Sequence, residues 1–240
     1  MIKNIPNFIT CLNLFFGCLG LMLLVNGSPM CAAFCIWTAA VCDFFDGFAA
    51  RAVKAESPMG KELDSLADVV SFGVLPAFIW FYYIIQSIQP GTSFTDIPVG
   101  LYIPYIAFFM AMCSAWRLAK FNIDTRQTDH FRGVPTPANA LVWSAIPFIS
   151  SDSLFPWAQQ WITNPVFVIV FGLVMSILLV VDIPLIALKF KEWSWKSNKV
   201  TYSFLLLSVA LLVTLQANGI FFVFAAYLGA SFIDNKNKGL

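Results

Sequence analysis

Eight mostly apolar stretches run along the chain, near residues 8–26, 29–54, 59–86, 97–120, 137–150, 165–188, 201–216 and 218–234, with short polar or proline-bearing breaks between them. A hydrocarbon core ~30 Å thick takes about 20 mostly apolar helical residues to cross. The pattern therefore predicts an all-α fold, a polytopic membrane helical bundle with about eight transmembrane helices. No internal repeat, low-complexity tract or long linker interrupts it, which predicts a single integral membrane domain over 1–240. Met1–Asn26 carries one Lys and a long apolar run without a small-x-small cleavage pattern, so it reads as a retained helix and not a removed signal.

Composition and charge sharpen this picture. With 59% hydrophobic and 11% charged residues, the chain is too apolar for a soluble domain. Its net charge of +1, spread over loops, gives no reason to expect nucleic acid as a partner. The cysteines, Cys11, Cys18, Cys31, Cys35, Cys42 and Cys113, lie in apolar segments without zinc-like pairing and read as buried structural thiols. With eight helices both termini share one side, together with the loops near 51–61, 117–136 and 189–200. All 14 Lys and Arg residues fall on that side, and the alternate loops carry none. The positive-inside rule makes the basic side cytoplasmic. The expectation is an integral cell (inner) membrane protein with both termini in the cytoplasm.

Against this apolar background stand Asp43, Asp46, Asp64 and Asp68, in the cytoplasmic ends of the second and third stretches. An ionised carboxylate near the centre of a membrane helix costs about 2.5–3.5 kcal/mol even on the lenient insertion scale, so something must compensate these four. On a helix, Asp43, Asp46, Gly47 and Ala50 follow i, i+3, i+4, i+7, and Gly60, Asp64 and Asp68 follow i, i+4, i+8. Pro58 breaks the chain before the third stretch. The pairs Asp43 with Asp68, Gly47 with Asp64, and Arg51 with Gly60 are each centred between residues 55 and 56, so an antiparallel hairpin brings the four acids to one level. Small residues at Gly47, Ala49, Ala50 and Gly60 are expected to let the two helices approach closely and leave room for a ligand. Arg51 alone cannot neutralise four acids. Oxygen ligands without His or Cys favour two Mg²⁺ or Mn²⁺ ions, the arrangement that clamps entering and leaving oxygens in phosphoryl-type displacement.

The run Asp43-x2-Asp46-Gly47-x2-Ala50-Arg51-x8-Gly60-x3-Asp64-x3-Asp68 resembles, without gap or substitution, the signature of the CDP-alcohol phosphotransferase family. Within that family the chain is similar to the bacterial type II phosphatidylserine synthase branch, on Ile5–Thr10 with Asn13, Asp68–Ala77, Arg117–Asn122 and Phe131–Ala140; the segment after 176, with Asp182-Ile183-Pro184, departs from the pattern. The resemblance implies a membrane-embedded site at the cytoplasmic face. There Asp43, Asp46, Asp64 and Asp68 bind two metal ions, Gly47, Ala50, Arg51 and Gly60 hold the CDP moiety, and Asp68 is the base on the acceptor hydroxyl. It also implies transfer of a phosphatidyl group from CDP-diacylglycerol to L-serine, with CMP released, by a homodimer among membrane lipids.

Other residues leave alternatives open. A serine carboxylate needs donors, which Arg117 or Arg132 would supply, but either residue can equally anchor a helix end at lipid headgroups. Asn7, Thr10 and Asn13 recur on one helical face and either hydrogen-bond the nucleotide or cap and pack the helix. His130 reads as a solvated loop residue, and Asp182, inside the sixth stretch, as a helix break or interface pair. Glycerol 3-phosphate or inositol would suit the same reaction as acceptor. A divalent-cation transporter is the alternative of another class, disfavoured because the acids gather toward one face of the membrane.

Overall fold

The computed structural model describes residues 4–123, 130–151, 156–186 and 199–238. Its α-helices are α1 (Ile5–Val25), α2 (Pro29–Ala52), α3 (Pro58–Asp68), α4 (Leu75–Ile88), α5 (Phe108–Ile123), α6 (Thr136–Ser151), α7 (Pro156–Ile162), α8 (Pro165–Val180), α9 (Lys199–Leu215) and α10 (Gly219–Lys238). The chemistry of the breaks explains where they end. Gly27 at φ 77° lets α1 turn into α2, whose first residue is Pro29. Lys54 at φ 50° ends the α2 side of the next turn, and Ser57 caps α3 by accepting the Gly60 amide at 3.0 Å, with Pro58 at the first helical position.

At the centre lies one continuous helical run of 31 residues, Pro58–Ile88, formed by α3, a π-helical segment Val69–Val74 and α4. Pro76 has no N–H to offer the carbonyl four residues back, and the π-helical turn sits where that bond is missing. Phe72, Leu75, Ile79, Trp80 and Ile84 of this run are fully buried. The rings of Trp80 and Trp143 lie 5.6 Å apart and join α4 to α6. Trp80 also donates its indole N–H to the Val168 carbonyl at 3.0 Å, and its ring presses on α8 at Gly172, where an added Cβ would sit 1.9 Å from a ring carbon.

Among the described residues four helical runs are long and apolar enough to cross a membrane, Ile5–Val25, Pro29–Ala52, Pro58–Ile88 and Val200–Asn235; they become five if α7 and α8, bent by 82°, form one span. Val200–Asn235 is itself folded at Gln216, φ 50°, and the Phe204 and Tyr227 rings meet 5.9 Å apart across the resulting α9–α10 pair. The chain is thus a helical membrane protein.

Two expectations need correction. The stretch expected to span 97–120 is α-helical only from Phe108, because the segment holding Pro98 and Pro104 forms loop and a 3-10 turn at Ile103–Ala107. The stretch expected to span 165–188 leaves the helix after Val180, so Asp182 lies beyond it and pairs with Lys120 at 2.7 Å. Within this all-helical architecture one short pairing occurs, β1 (His130–Arg132) antiparallel with β2 (Pro184–Ile186), Phe131 opposite Leu185, since Pro184 cannot continue a helix.

The same end of the bundle collects the start of α1, the α2–α3 turn, the start of α3 and the end of α5, because Asn7 borders Gly60 and Lys61 donates to the Asn122 carbonyl at 2.8 Å. Arg51, Lys61 and Lys120 stand at this end.

The Trp80–Gly172 contact predicts its own test. Gly172→Val should lower stability by about 1–3 kcal/mol or more through overpacking against a buried ring, read as a lower unfolding temperature in detergent; an unchanged temperature would mean that α8 is free to move away from α4.

Candidate active site

The α2–α3 end carries the acids. Asp43, Asp64 and Asp68 each offer a carboxylate oxygen, and these atoms lie within 4.8 Å of one another. Asp68 is buried, and its Oδ1 accepts from Asn13 Nδ2 of α1 at 3.0 Å. Asn13 is in turn fixed by its carbonyl, which accepts from Ser71 Oγ in the π-helical segment at 2.9 Å. Asp64 Oδ1 is buried with no hydrogen-bond partner. Asp46, which sequence spacing grouped with the other three, accepts at one carboxylate oxygen from Thr10 Oγ1 of α1 at 2.6 Å.

The reason is the position of α1. It packs along α2 and also against α3, and α2 and α3 are not each other's main neighbours. The expected close approach of α2 and α3 over small residues is therefore not found. A Cβ at Gly47 would meet nothing within 4 Å. The glycine borders open space instead, a cleft of about 650 Å³ whose lining includes Asn7, Thr10, Asp46, Gly47, Ala50, Arg51, Gly60 and Asp64. All six residues expected at the CDP moiety, Gly47, Ala50, Arg51, Gly60, Asn7 and Thr10, border this one cleft. Asp43 and Asp68 are not among its lining residues, and Asp46 and Asp64 connect the cleft to the acid group.

Three ionised carboxylates this close repel by roughly 3–4 kcal/mol per pair at an effective dielectric of ~20. The described residues provide no salt-bridge partner for them. The donor set is all carboxylate oxygen, with no His among it, and one oxygen is buried and unpartnered. That suits a hard divalent cation, whose charge would turn the mutual repulsion into shared attraction.

Two further features were not singled out from sequence. Asn122 Nδ2 donates to Ser65 Oγ at 2.8 Å while Lys61 Nζ donates to the Asn122 carbonyl, so the end of α5 is tied to α3 beside Asp64. Asn122 stood within the Arg117–Asn122 motif, which was the available signal. The bond from Asn13 to Asp68 is the other; the polar face of α1 pointed to it, but toward a different partner. Arg117 is buried on α5, with its guanidinium carbon 5.9 Å from the Phe121 ring centroid. Arg132 belongs to β1, and the side chains of Arg132 and His130 lie outside the described residues.

The sequence profile described as CDP-alcohol phosphatidyltransferase matches residues 3–185. The chain belongs to this family. Among CDP-alcohol phosphatidyltransferase relatives, the CDP-diacylglycerol–serine O-phosphatidyltransferase of Bacillus subtilis (strain 168) is 37% identical over 138 residues, 55% of this chain and 69% of the relative. The protein of that name from Mycobacterium leprae (strain TN) is 32% identical over 192 residues, 77% of this chain and 58% of the relative. The archaetidylserine synthase of Methanothermobacter thermautotrophicus is 33% identical over 143 residues, 59% of this chain and 56% of the relative. The matches thus span little more than half of the last two relatives, and the family profile covers the whole acidic cleft and the helices that frame it.

Metal binding is measurable apart from any reaction. Titrating detergent-solubilised protein with Mn²⁺ and following free Mn²⁺ by electron paramagnetic resonance should show saturable binding, weakened about tenfold or more in Asp43→Asn and Asp64→Asn and less in Asp46→Asn. Equal binding in all three variants would remove the triad as the ligand set.

Proposed function

We propose that this chain transfers the phosphatidyl group of CDP-diacylglycerol to L-serine, giving phosphatidylserine and CMP, as a single membrane domain over 1–240. The observation that carries the reading is the convergence of Asp43, Asp64 and Asp68 beside a cleft bordered by every residue of the family signature expected at the nucleotide. Serine is favoured over glycerol 3-phosphate or inositol because the bacterial and archaeal relatives differ in the lipid their names carry but share serine.

The chemistry follows from the positions of the side chains. The nucleotide lies along Gly47, Ala50 and Gly60, where small side chains leave room, with Arg51 at the diphosphate. Asn13 holds one oxygen of Asp68, so that the carboxylate keeps a fixed orientation and its remaining lone pairs face the acceptor. Asp68 takes the proton of the serine hydroxyl as that oxygen bonds to the phosphorus bearing the diacylglycerol oxygen. The bond from this phosphorus to the bridging diphosphate oxygen breaks, and its electron pair leaves with CMP. Two Mg²⁺ or Mn²⁺ ions held by Asp43, Asp46, Asp64 and Asp68 would supply positive charge where the diphosphate develops negative charge. Arg117, with Arg132 as the other candidate, receives the serine carboxylate. The lipid tails remain in the bilayer throughout.

The positive-inside distribution supports a cytoplasmic placement of this end of the bundle, with eight spans and both termini on that side. A C-terminal green fluorescent protein fusion should then fluoresce, and an alkaline phosphatase fusion after Gly91 should be active. A fluorescent fusion at Gly91 with an inactive phosphatase there would invert the topology.

Purified protein given CDP-diacylglycerol, Mn²⁺ and serine should release CMP. Asp68→Asn should reduce the rate by about 10²–10⁴-fold. Release with glycerol 3-phosphate or inositol but not serine would move the chain to another acceptor, and no release with any of them would end the enzymatic reading.

A further inference from the structure

A further cavity, of about 280 Å³, lies at the end of the bundle away from the acids. Its lining comes from α4, α6, α7, α8, α10 and the turn before α10; it is predominantly aromatic and aliphatic, and no residue in it is charged. Tyr83 borders it from the central run, roughly 22 Å from Asp68 at 1.5 Å of helix per residue. Trp157 and Trp161 of α7 and Phe222 of α10 also border it and are exposed. In a membrane protein such exposed aromatic side chains face lipid or its interface, so the cavity stands within reach of the bilayer.

Two of the lining residues carry buried polar atoms with no hydrogen-bond partner among the described residues, Trp143 at Nε1 and Asn218 at Oδ1. Trp143 is 0% exposed. A buried indole N–H is normally paired, because an unpaired one forfeits its hydration for nothing. Its neighbours obey that rule: Trp37 donates to Ser144 Oγ at 2.7 Å, and Trp80 donates to the Val168 carbonyl at 3.0 Å. The Trp143 ring is fixed by Trp80 at 5.6 Å and by Phe171, which also lines the cavity, at 5.5 Å. One donor and one acceptor thus border the same apolar space, and neither is used by the fold.

We propose that this cavity binds a neutral lipid alcohol from the surrounding bilayer, its hydroxyl pairing with Trp143 Nε1 and Asn218 Oδ1 and its hydrocarbon filling the apolar lining. A hydroxyl both donates and accepts, which is the complement of an indole N–H and an amide oxygen. A carboxylate or phosphate would be buried without a cation, and an ammonium without an anion. An alkane would fill the space but leave both polar atoms unpaired. Water needs several polar partners to stay in a cavity, and would leave most of this lining without apolar contacts. An acyl tail reaching here from a substrate in the acid cleft would arrive as a methyl end and pair with neither group, so the site is separate from that cleft. The proposal does not depend on the serine-transfer reading.

The test uses the full-length protein in phosphatidylcholine nanodiscs and hexadecan-1-ol carrying a diazirine in its chain, with photolabelled positions mapped by peptide mass spectrometry. Labelling should concentrate on α7 and α10 residues that line the cavity, and should be competed by unlabelled hexadecan-1-ol at least about fivefold better than by hexadecane or hexadecanoate. Trp143→Phe, which keeps a ring and removes the N–H, and Asn218→Leu should each weaken competition by the alcohol about fivefold and leave that by hexadecane unchanged. Ala158→Phe, which adds bulk to the lining, should abolish the saturable labelling. Labelling spread over exposed positions such as Leu206 and Val213 of α9, without competition, overturns the proposal. Equal competition by hexadecane, or better competition by hexadecanoate, overturns it as well, and that comparison in the wild type decides the matter even where a variant fails to fold.

Discussion

The structure is organised around a repulsion. Three carboxylates, Asp43 of α2 and Asp64 and Asp68 of α3, are held within 4.8 Å of one another in an otherwise apolar helical bundle. Nothing in the described chain balances them, so the fold must impose their proximity. It does so through α1, which lies against both acid-bearing helices and contributes Thr10 to Asp46 and Asn13 to Asp68. Hydrogen bonds from neutral side chains orient the acids without cancelling their charge, which leaves the group available to a cation.

The rest of the bundle holds α3 in place. Its far continuation belongs to the most buried of the candidate spans among the described residues, locked by Trp80 against α6 and α8, and its near end is tied to α5 through Asn122, Ser65 and Lys61. A helix anchored at both ends can present Asp64 and Asp68 at a fixed separation, and fixed geometry is what a metal-assisted displacement demands. The cleft beside the acids is open for a different reason: α2 and α3 diverge around α1, and Gly47 adds no side chain to fill the gap. Rigidity of the acids and access to them therefore come from the same helix.

Much of this was legible in the sequence, and the failures share a cause. Spacing by three and four residues correctly put the acids on helical faces, and Pro58 and the intervening polar residues marked the turn. The prediction treated α2 and α3 as direct partners, however, and a periodicity carries no information about a third helix between them. Thr10 was accordingly not foreseen as the partner of Asp46, and at Gly47 the close helix approach is absent while the room for a ligand is present. The apolar runs at 97–120 and 165–188 overestimated helix length because hydropathy does not register what Pro98, Pro104 and Pro184 do to the backbone. The small β1–β2 pairing was invisible for the same reason.

The central claim is that the acid group is a cation site shared by α2 and α3. Its most direct test is a crystal structure of the protein grown with Mn²⁺, with anomalous data collected at the manganese edge. The account predicts anomalous density between Asp43, Asp64 and Asp68, at oxygen-ligand distances of about 2.0–2.3 Å. Density confined to other residues, or carboxylates turned away from one another with none between them, would contradict it.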